Sequence, residues 1–237
     1  MWKKPWIITQ QWEDILFLHW PVQPQELKQY IPQELEIDLY ENKAWLSFVF
    51  FKVKGNRLRF TPPFPGVRSF LQLNVRTYVT CNGKKGIYFF NLDANNTFIV
   101  QMTTVGQLLP YRRAMMTVKK ERNTFSFTSS YQNLKALEEK LMVTFEPMPV
   151  RIESRAFERW IVERYYLWTK MKNRLLRIDI CHSPWRLQKV NVIIHHNTMA
   201  PLIKGFTSCN QPIVHYSKSK RARIFPPVLE IKKVPSH

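Results

Sequence analysis

Between Leu71 and Val79 the chain alternates: Leu71, Leu73, Val75, Thr77 and Val79 fall on one side, Gln72, Asn74, Arg76 and Tyr78 on the other. That period of two predicts a strand over Ser69 to Thr80. The first row is ordinary core. The second is unusual, because a solvent-facing strand carries plainer Lys, Glu and Thr. Two amides, a guanidinium and a phenol in register suit contact with a small polar ligand.

Periodicity and turn residues extend the reading. Pro24 to Tyr30 reads as a short helix closed by Pro32, since proline cannot donate the next helical bond. Glu36 to Tyr40 and Ala44 to Lys54 read as a hairpin across Glu41-Asn42-Lys43. The stretch Thr61-Pro62-Pro63-Phe64-Pro65-Gly66 lacks donors for a sheet and is expected to be an ordered loop. Asn82-Gly83 turns the central strand into another over Gly86 to Leu92. Asn95 to Leu108 has helical apolar spacing, Pro110 ends it, and Tyr111 to Lys119 resumes as a strand. Thr124 to Tyr131 and Leu141 to Glu146 follow as strands. Ser154 is placed as the cap of a helix from Arg155 to Arg164, with Phe157, Trp160 and Ile161 on one face. Strands at Tyr165 to Thr169, Leu175 to His182, Leu187 to His195, Ile213 to Ser217 and Arg221 to Ile231 complete the chain. No repeat or linker divides it. The expectation is one α+β domain over 1–237, mainly antiparallel, around a closed or strongly curved sheet with a few short helices.

Composition narrows the class. The chain is 45% hydrophobic, ample for a core, and no stretch approaches the roughly 18 to 20 apolar residues that cross a bilayer. The N-terminal segment is broken by Gln10, Gln11, Glu13 and Asp14 and lacks the apolar run of a signal peptide, so a soluble cytoplasmic protein with no membrane partner is expected. Cys81, Cys181 and Cys209 are far apart, which argues against a disulfide framework or a zinc ribbon. The charge of +19 attracts nucleic acid and acidic metabolites alike. Its clusters (Lys3-Lys4, Lys84-Lys85, Lys119-Lys120, Lys170 to Arg177, Lys218 to Arg223) are expected in turns, strand ends or a tail, which favours a solvated surface over a nucleic-acid face.

Familiar catalytic motifs are missing: there is no GxSxG, HExxH or Gly-rich phosphate loop. His195 and His196 are adjacent and would face opposite sides of a strand, so no metal site and no cofactor is implied. His19, between Leu18 and Trp20, reads as a core-edge histidine or a site base. Asp93 reads as a turn former or cap, with an acid/base role as the alternative. Glu163 and Arg164 read as an internal ion pair at a helix end, or Arg164 reaches a pocket.

Several blocks together carry a resemblance: Phe17-Leu18-His19-Trp20, Ala44-Trp45-Leu46, Leu73-Asn74-Val75-Arg76-Thr77-Tyr78-Val79, Phe89-Phe90-Asn91-Leu92-Asp93-Ala94, Leu109-Pro110-Tyr111, Glu163-Arg164-Tyr165, His182-Ser183-Pro184-Trp185 and Asn197-Thr198-Met199. In order and spacing they resemble the YqjF-like family of uncharacterised bacterial proteins, over about residues 7–229. More distantly the chain is similar to the acetoacetate decarboxylase-like superfamily. That resemblance implies a cone-like closed β-barrel around a small cavity, with the polar row of Ser69 to Thr80 facing the lumen. Superfamily decarboxylases use a lysine pair, one member forming a Schiff base. The similar stretch here is Gly106 to Arg113, where the pair falls on Tyr111 and Arg112, and a strand glutamate of those enzymes is replaced by Gln72. Arginine stays protonated and forms no imine, so that decarboxylation route is not expected.

The resulting expectation is a small anionic organic ligand, of keto- or hydroxy-acid type, bound by Gln72, Asn74, Arg76, Tyr78, Tyr111 and Arg112. If catalysis occurs, lyase or hydro-lyase chemistry would use Tyr78 or Tyr111 as proton donor and Asp93 or His19 as base. A polyanion-binding protein is the alternative, and oligomeric state is left open.

Overall fold

Asn82 and Gly83 both take positive φ, 50° and 73°, the pair of conformations a two-residue hairpin turn requires. They join the central strand to the next one, and the rest of the sheet grows around that hairpin. The computed structural model describes residues 5–62, 67–105, 108–132, 138–201, 203 and 211–231. Its strands are β1 (Ile8–Val22), β2 (Glu36–Ile37), β3 (Ala44–Leu58), β4 (Ser69–Cys81), β5 (Lys84–Ala94), β6 (Tyr111–Arg113), β7 (Met115–Glu121), β8 (Thr124–Gln132), β9 (Glu138–Arg151), β10 (Tyr166–Met171), β11 (Arg174–Cys181), β12 (Gln188–Asn197), β13 (Ile213–Ile224) and β14 (Val228–Leu229). The helices are α1 (Pro24–Lys28), α2 (Thr97–Val105) and α3 (Ala156–Val162). No helix among the described residues is long and apolar enough to cross a membrane.

All strands belong to one sheet, running β14-β11-β10-β5-β4-β3-β1-β13-β12-β9-β8-β7 with β2 on β4 and β6 on β5. β11 also pairs with β13, at Ile180↔Ile224 and Cys181↔Arg223, so the pairings between β11 and β13 return on themselves as a ring of seven strands. Most pairs are antiparallel; β10 and β6 run parallel to β5. Gly86 makes the β5–β10 approach possible, because a Cβ there would overlap the Tyr166 carbonyl and the Trp168 ring.

The alternation in β4 separates two cores. Leu71, Leu73 and Val75 face outward from the ring and pack with Leu16, Leu18, Leu46 and Phe48 against Phe125, Phe127, Val143 and Phe145, where β7, β8, β9 and β12 fold back over the ring. Phe17, Val49, Phe51, Ile87, Ile178 and Trp185 belong to the second core, inside it.

Several expectations change. β1, unassigned by periodicity, is a 15-residue strand within the ring. Asp14 at φ 51° and register shifts at Thr9/Gln11 and Glu13/Leu16 interrupt the alternation that would have revealed it. Glu41 and Asn42 do form a tight turn closed by a Tyr40↔Lys43 bridge, but β2 pairs with β4, at Glu36↔Thr80, rather than with β3. The expected strand Tyr111 to Lys119 breaks at Ala114, whose N–H donates to Ala94 O, so β6 serves β5 and β7 serves β8. Helix α3 starts after Arg155, not Ser154, with Glu158 Oε2 accepting the Arg155 N–H at 3.1 Å. Ile213 to Ile224 is one strand rather than two separated at 218–220, so Lys218, Lys220, Arg221 and Arg223 all lie within a strand of the ring. Of the Pro-rich loop, residues 63–66 lie outside the described residues, as do Lys3, Lys4, Gly106, Gln107, Cys209 and His237.

Candidate functional site

Inside the ring lies a cavity of about 100 Å³. At roughly 10–15 Å³ for each water, it has room for a small organic molecule. Most of its wall is apolar, supplied by Trp12 and Phe17 of β1, Phe51 of β3, Phe89 of β5 and Trp185. The polar exceptions are Gln72, Asn74 and Arg76 of β4, Tyr111 of β6, Arg164, Gln10 and His182. Strand pairing explains the row. Asn74 lies opposite Val49 and Leu92, and Arg76 opposite Ser47 and Phe89, so β4's inward positions are held between two flanking strands.

Arg76 is buried, at 8% exposure, and among the described residues no carboxylate pairs with it. Its Nε has no hydrogen-bond partner, and its guanidinium instead lies 5.9 Å from the rings of Phe17 and of Tyr78. Arg164, at the end of α3, is also buried, but its Nη1 donates to Asp38 Oδ2 at 2.6 Å and its Nε to the Trp160 carbonyl at 2.6 Å. Nη2 has no partner. Burial lowers the Arg164 pKa, opposed by the Asp38 hydrogen bond and charge, with Arg76 adding repulsion. Asp38 is shared between Arg164 and Lys85, whose Nζ lies 3.4 Å from Oδ1, so the two cavity guanidiniums leave the wall with positive charge in excess. Asn74 Oδ1, also without a partner, adds an acceptor beside them.

Tyr111 donates its phenol proton to Gln72 Oε1 at 3.0 Å, and burial raises its pKa far above the ordinary value, so it stays protonated. His182 Nδ1 lies 2.9 Å from the Ser183 carbonyl. A carbonyl only accepts, so Nδ1 carries the proton and Nε2 is left as the acceptor. Burial lowers the His182 pKa against the Ser183 hydrogen bond and the Glu163 charge, which raise it, and repulsion from Lys220 and Arg76 adds to the lowering.

The remaining expected site residues lie elsewhere. Tyr78 shares the face of Arg76 but does not line the cavity: its hydroxyl is 2.7 Å from Ser47 Oγ, which is 2.6 Å from His19 Nδ1. His19 and Tyr78 are thus brought together, 3.5 Å apart, in a buried cluster behind the cavity wall. Burial, then the neighbouring His215 and Arg76, hold His19 well below the ordinary histidine pKa. Arg112 corrects the expected ligand set. Its guanidinium bonds Asp93 on one side and Glu139 on the other, at 2.9 and 2.7 Å for the Glu139 pair, and stacks 4.0 Å from the Tyr131 ring. With both acids satisfied it has no place in the cavity, and Asp93 is its partner, not a cap or a base facing the ligand. Burial opposes the Arg112 charge, but hydrogen bonds to Glu139 and Asp93 outweigh it and raise its pKa.

Glu163 does not pair with Arg164; it accepts the Trp185 N–H at 2.7 Å and the Tyr165 hydroxyl. Arg164 reaches the cavity, as one of its two sequence readings had it; His182 and Gln10 are polar lining residues not singled out from the sequence, although His182 falls within a block that carried the resemblance. Among the described residues no group of three or more His, Cys, Asp or Glu could hold a metal ion.

A family model matches residues 9–221: DUF2071, an uncharacterized conserved protein family. The chain belongs to the DUF2071 family. It is 37% identical over 223 residues to the uncharacterized protein YqjF of Bacillus subtilis (strain 168), covering 93% of this chain and 91% of that protein. Among solved structures it is similar to an acetoacetate decarboxylase-like enzyme from Sphingomonas wittichii RW1, with a TM-score of 0.66, 8% identity and coverage of 97% of this chain and 95% of the other. It is also similar to the enduracididine biosynthesis enzyme MppR complexed with pyruvate, at TM-score 0.64, 9% identity and coverage of 97% and 91%. At these identities the likeness shows the acetoacetate decarboxylase-like fold alone.

Proposed function

We propose that this DUF2071 protein is a cytoplasmic small-molecule binder in which the ring of strands acts as a closed barrel around a small monocarboxylate of keto- or hydroxy-acid type. The observation that carries the reading is Arg76, a buried guanidinium on the cavity wall with no acid beside it. Burying an unpaired charge costs several kcal/mol, and a carboxylate ligand would offset that cost by a charge-assisted, paired hydrogen bond. The excess positive charge suits a carboxylate, and the aromatic wall suits a compact apolar body. The pyruvate complex of MppR, a fold neighbour, is a ligand of this chemistry. No lysine lines the cavity among the described residues, and Tyr111 stands where the resemblance aligns a lysine of the pair, so Schiff-base decarboxylation is not part of the proposal.

Calorimetric titration with pyruvate and lactate tests it. Saturable binding is expected for the natural chain, weakened at least about tenfold, or 1.4 kcal/mol, in Arg76→Gln. Equal affinity in both proteins would reject the reading.

A second reading, lyase or hydro-lyase chemistry, draws on Tyr111 and His182, a protonated phenol and an imidazole that both line the cavity. His182 would take a proton from the carbon next to a carbonyl and Tyr111 would hydrogen-bond the developing oxyanion. Deuterium uptake into the pyruvate methyl group in heavy water, followed by NMR, should then exceed the buffer rate and fall to it in His182→Gln.

A further inference from the structure

The ring has a gap in its hydrogen-bonded wall. On the edge of β13 away from β1, β12 pairs at Gln188↔Tyr216, and β11 pairs at Arg223↔Cys181 and Ile224↔Ile180. Between them residues 217–222 face the segment 182–187, which is not a strand. A groove of about 740 Å³ opens along this seam, separated from the cavity by Trp185, which lines both.

The groove is basic. Arg151, Arg186, Lys218 and Lys220 line it with Ser183, Ser217 and Ser219, and no Asp or Glu does among the described residues. The four cations have different standing. Lys220 is buried, its ammonium donates to the carbonyls of Ser183 and Pro184 at 3.1 and 2.7 Å, and it sits 5.1 Å from the Trp185 ring. It pins the inner wall and is already spent. Glu163, the carboxylate whose charge acts on Lys220, is engaged with the Trp185 N–H and the Tyr165 hydroxyl. Arg151, Arg186 and Lys218 are exposed, and none has an ion pair among the described residues.

Like charges converging on one concavity repel, and low-dielectric walls focus their field outward. A ligand carrying two or more negative charges on closely spaced oxygens relieves that repulsion, and guanidinium groups match phosphate oxygens two at a time. The groove is bounded, of the size of small-molecule sites, rather than a stripe along the protein. We propose that this groove is a second site, distinct from the cavity, that binds the phosphate or diphosphate group of a small phosphorylated molecule.

Titration of the full chain with inorganic pyrophosphate tests this. The variant Arg186→Gln/Lys218→Gln changes only exposed side chains and is expected to fold normally; Arg76→Gln serves as the cavity control. Binding in the millimolar range or tighter is expected at low salt, weakened at least about tenfold in the double variant and unchanged in Arg76→Gln. No binding, or loss in Arg76→Gln, would overturn the second site. A parallel titration with a duplex oligonucleotide closes the remaining route. Tighter binding than pyrophosphate, lost in the same double variant, would overturn the small-ligand assignment in favour of nucleic acid.

Discussion

Arg76 and Arg164 face one cavity, yet only Arg164 meets an acid: its Nη1 donates to Asp38 Oδ2 at 2.6 Å, while Arg76 has aromatic rings about it and no carboxylate among the described residues. Removing Arg76 and removing the acid that pairs Arg164 are therefore expected to shift stability in opposite directions.

Arg76→Met is expected to raise stability and abolish carboxylate binding together. Removing an unpaired buried charge recovers its desolvation cost, on the order of 1–3 kcal/mol. For a chain of this size that is a rise in Tm of roughly 2–4 °C per kcal/mol. A fall in Tm would mean that Arg76 is paired after all.

Asp38→Asn is expected to do the reverse. It leaves Arg164 buried beside Arg76 without a compensating charge, and breaking one side of a buried pair costs about 3–5 kcal/mol. Chemical denaturation should show a lower midpoint with an unchanged slope.

Arg112→Met should destabilise by a similar amount, about 3–5 kcal/mol, because Asp93 and Glu139 lose the guanidinium they share. Pyruvate affinity, measured where the variant is folded, should stay within about twofold of the natural chain. A large loss of affinity with stability intact would return Arg112 to the ligand set.

Borohydride reduction in the presence of pyruvate or acetoacetate should leave the protein mass unchanged. Lys220 is the lysine to watch: burial lowers its pKa and it lies behind Trp185, but its ammonium is held by the Ser183 and Pro184 carbonyls. A stoichiometric adduct there would restore imine chemistry to this fold member.

Acid should destabilise the protein through two buried histidines. Burial lowers the His215 pKa to about 4, against the opposing pull of Glu158, and His19 is held well below its ordinary value. Both are neutral when folded, so the unfolded chain binds more protons at acid pH. The His215 contribution, roughly 3 kcal/mol, is complete above the unfolded value near pH 6.5 and is lost as pH falls to about 4, and His19 adds to the loss below pH 6.5 in the same direction. His215→Gln should flatten the stability profile across that window.

The period-two alternation from Leu71 to Val79 determined by itself which β4 side chains meet the outer core and which face inward, because a strand's side-chain direction is a local property. The Asn82-Gly83 turn was legible for the same reason. β1 was not, since the left-handed Asp14 and its bulges break the local pattern while pairings to β3 and β13 sustain the strand. The choice among arginines lay wholly beyond local pattern. Arg112 finds Glu139, 27 residues away, and Arg164 finds Asp38, 126 residues away, whereas Arg76 is carried to the cavity wall with no acid. Each pairing depends on where the ring brings distant strands together. Only the tertiary structure could decide which cation was left without an acid, because a buried charge is paired by what folds against it, not by its neighbours in the chain.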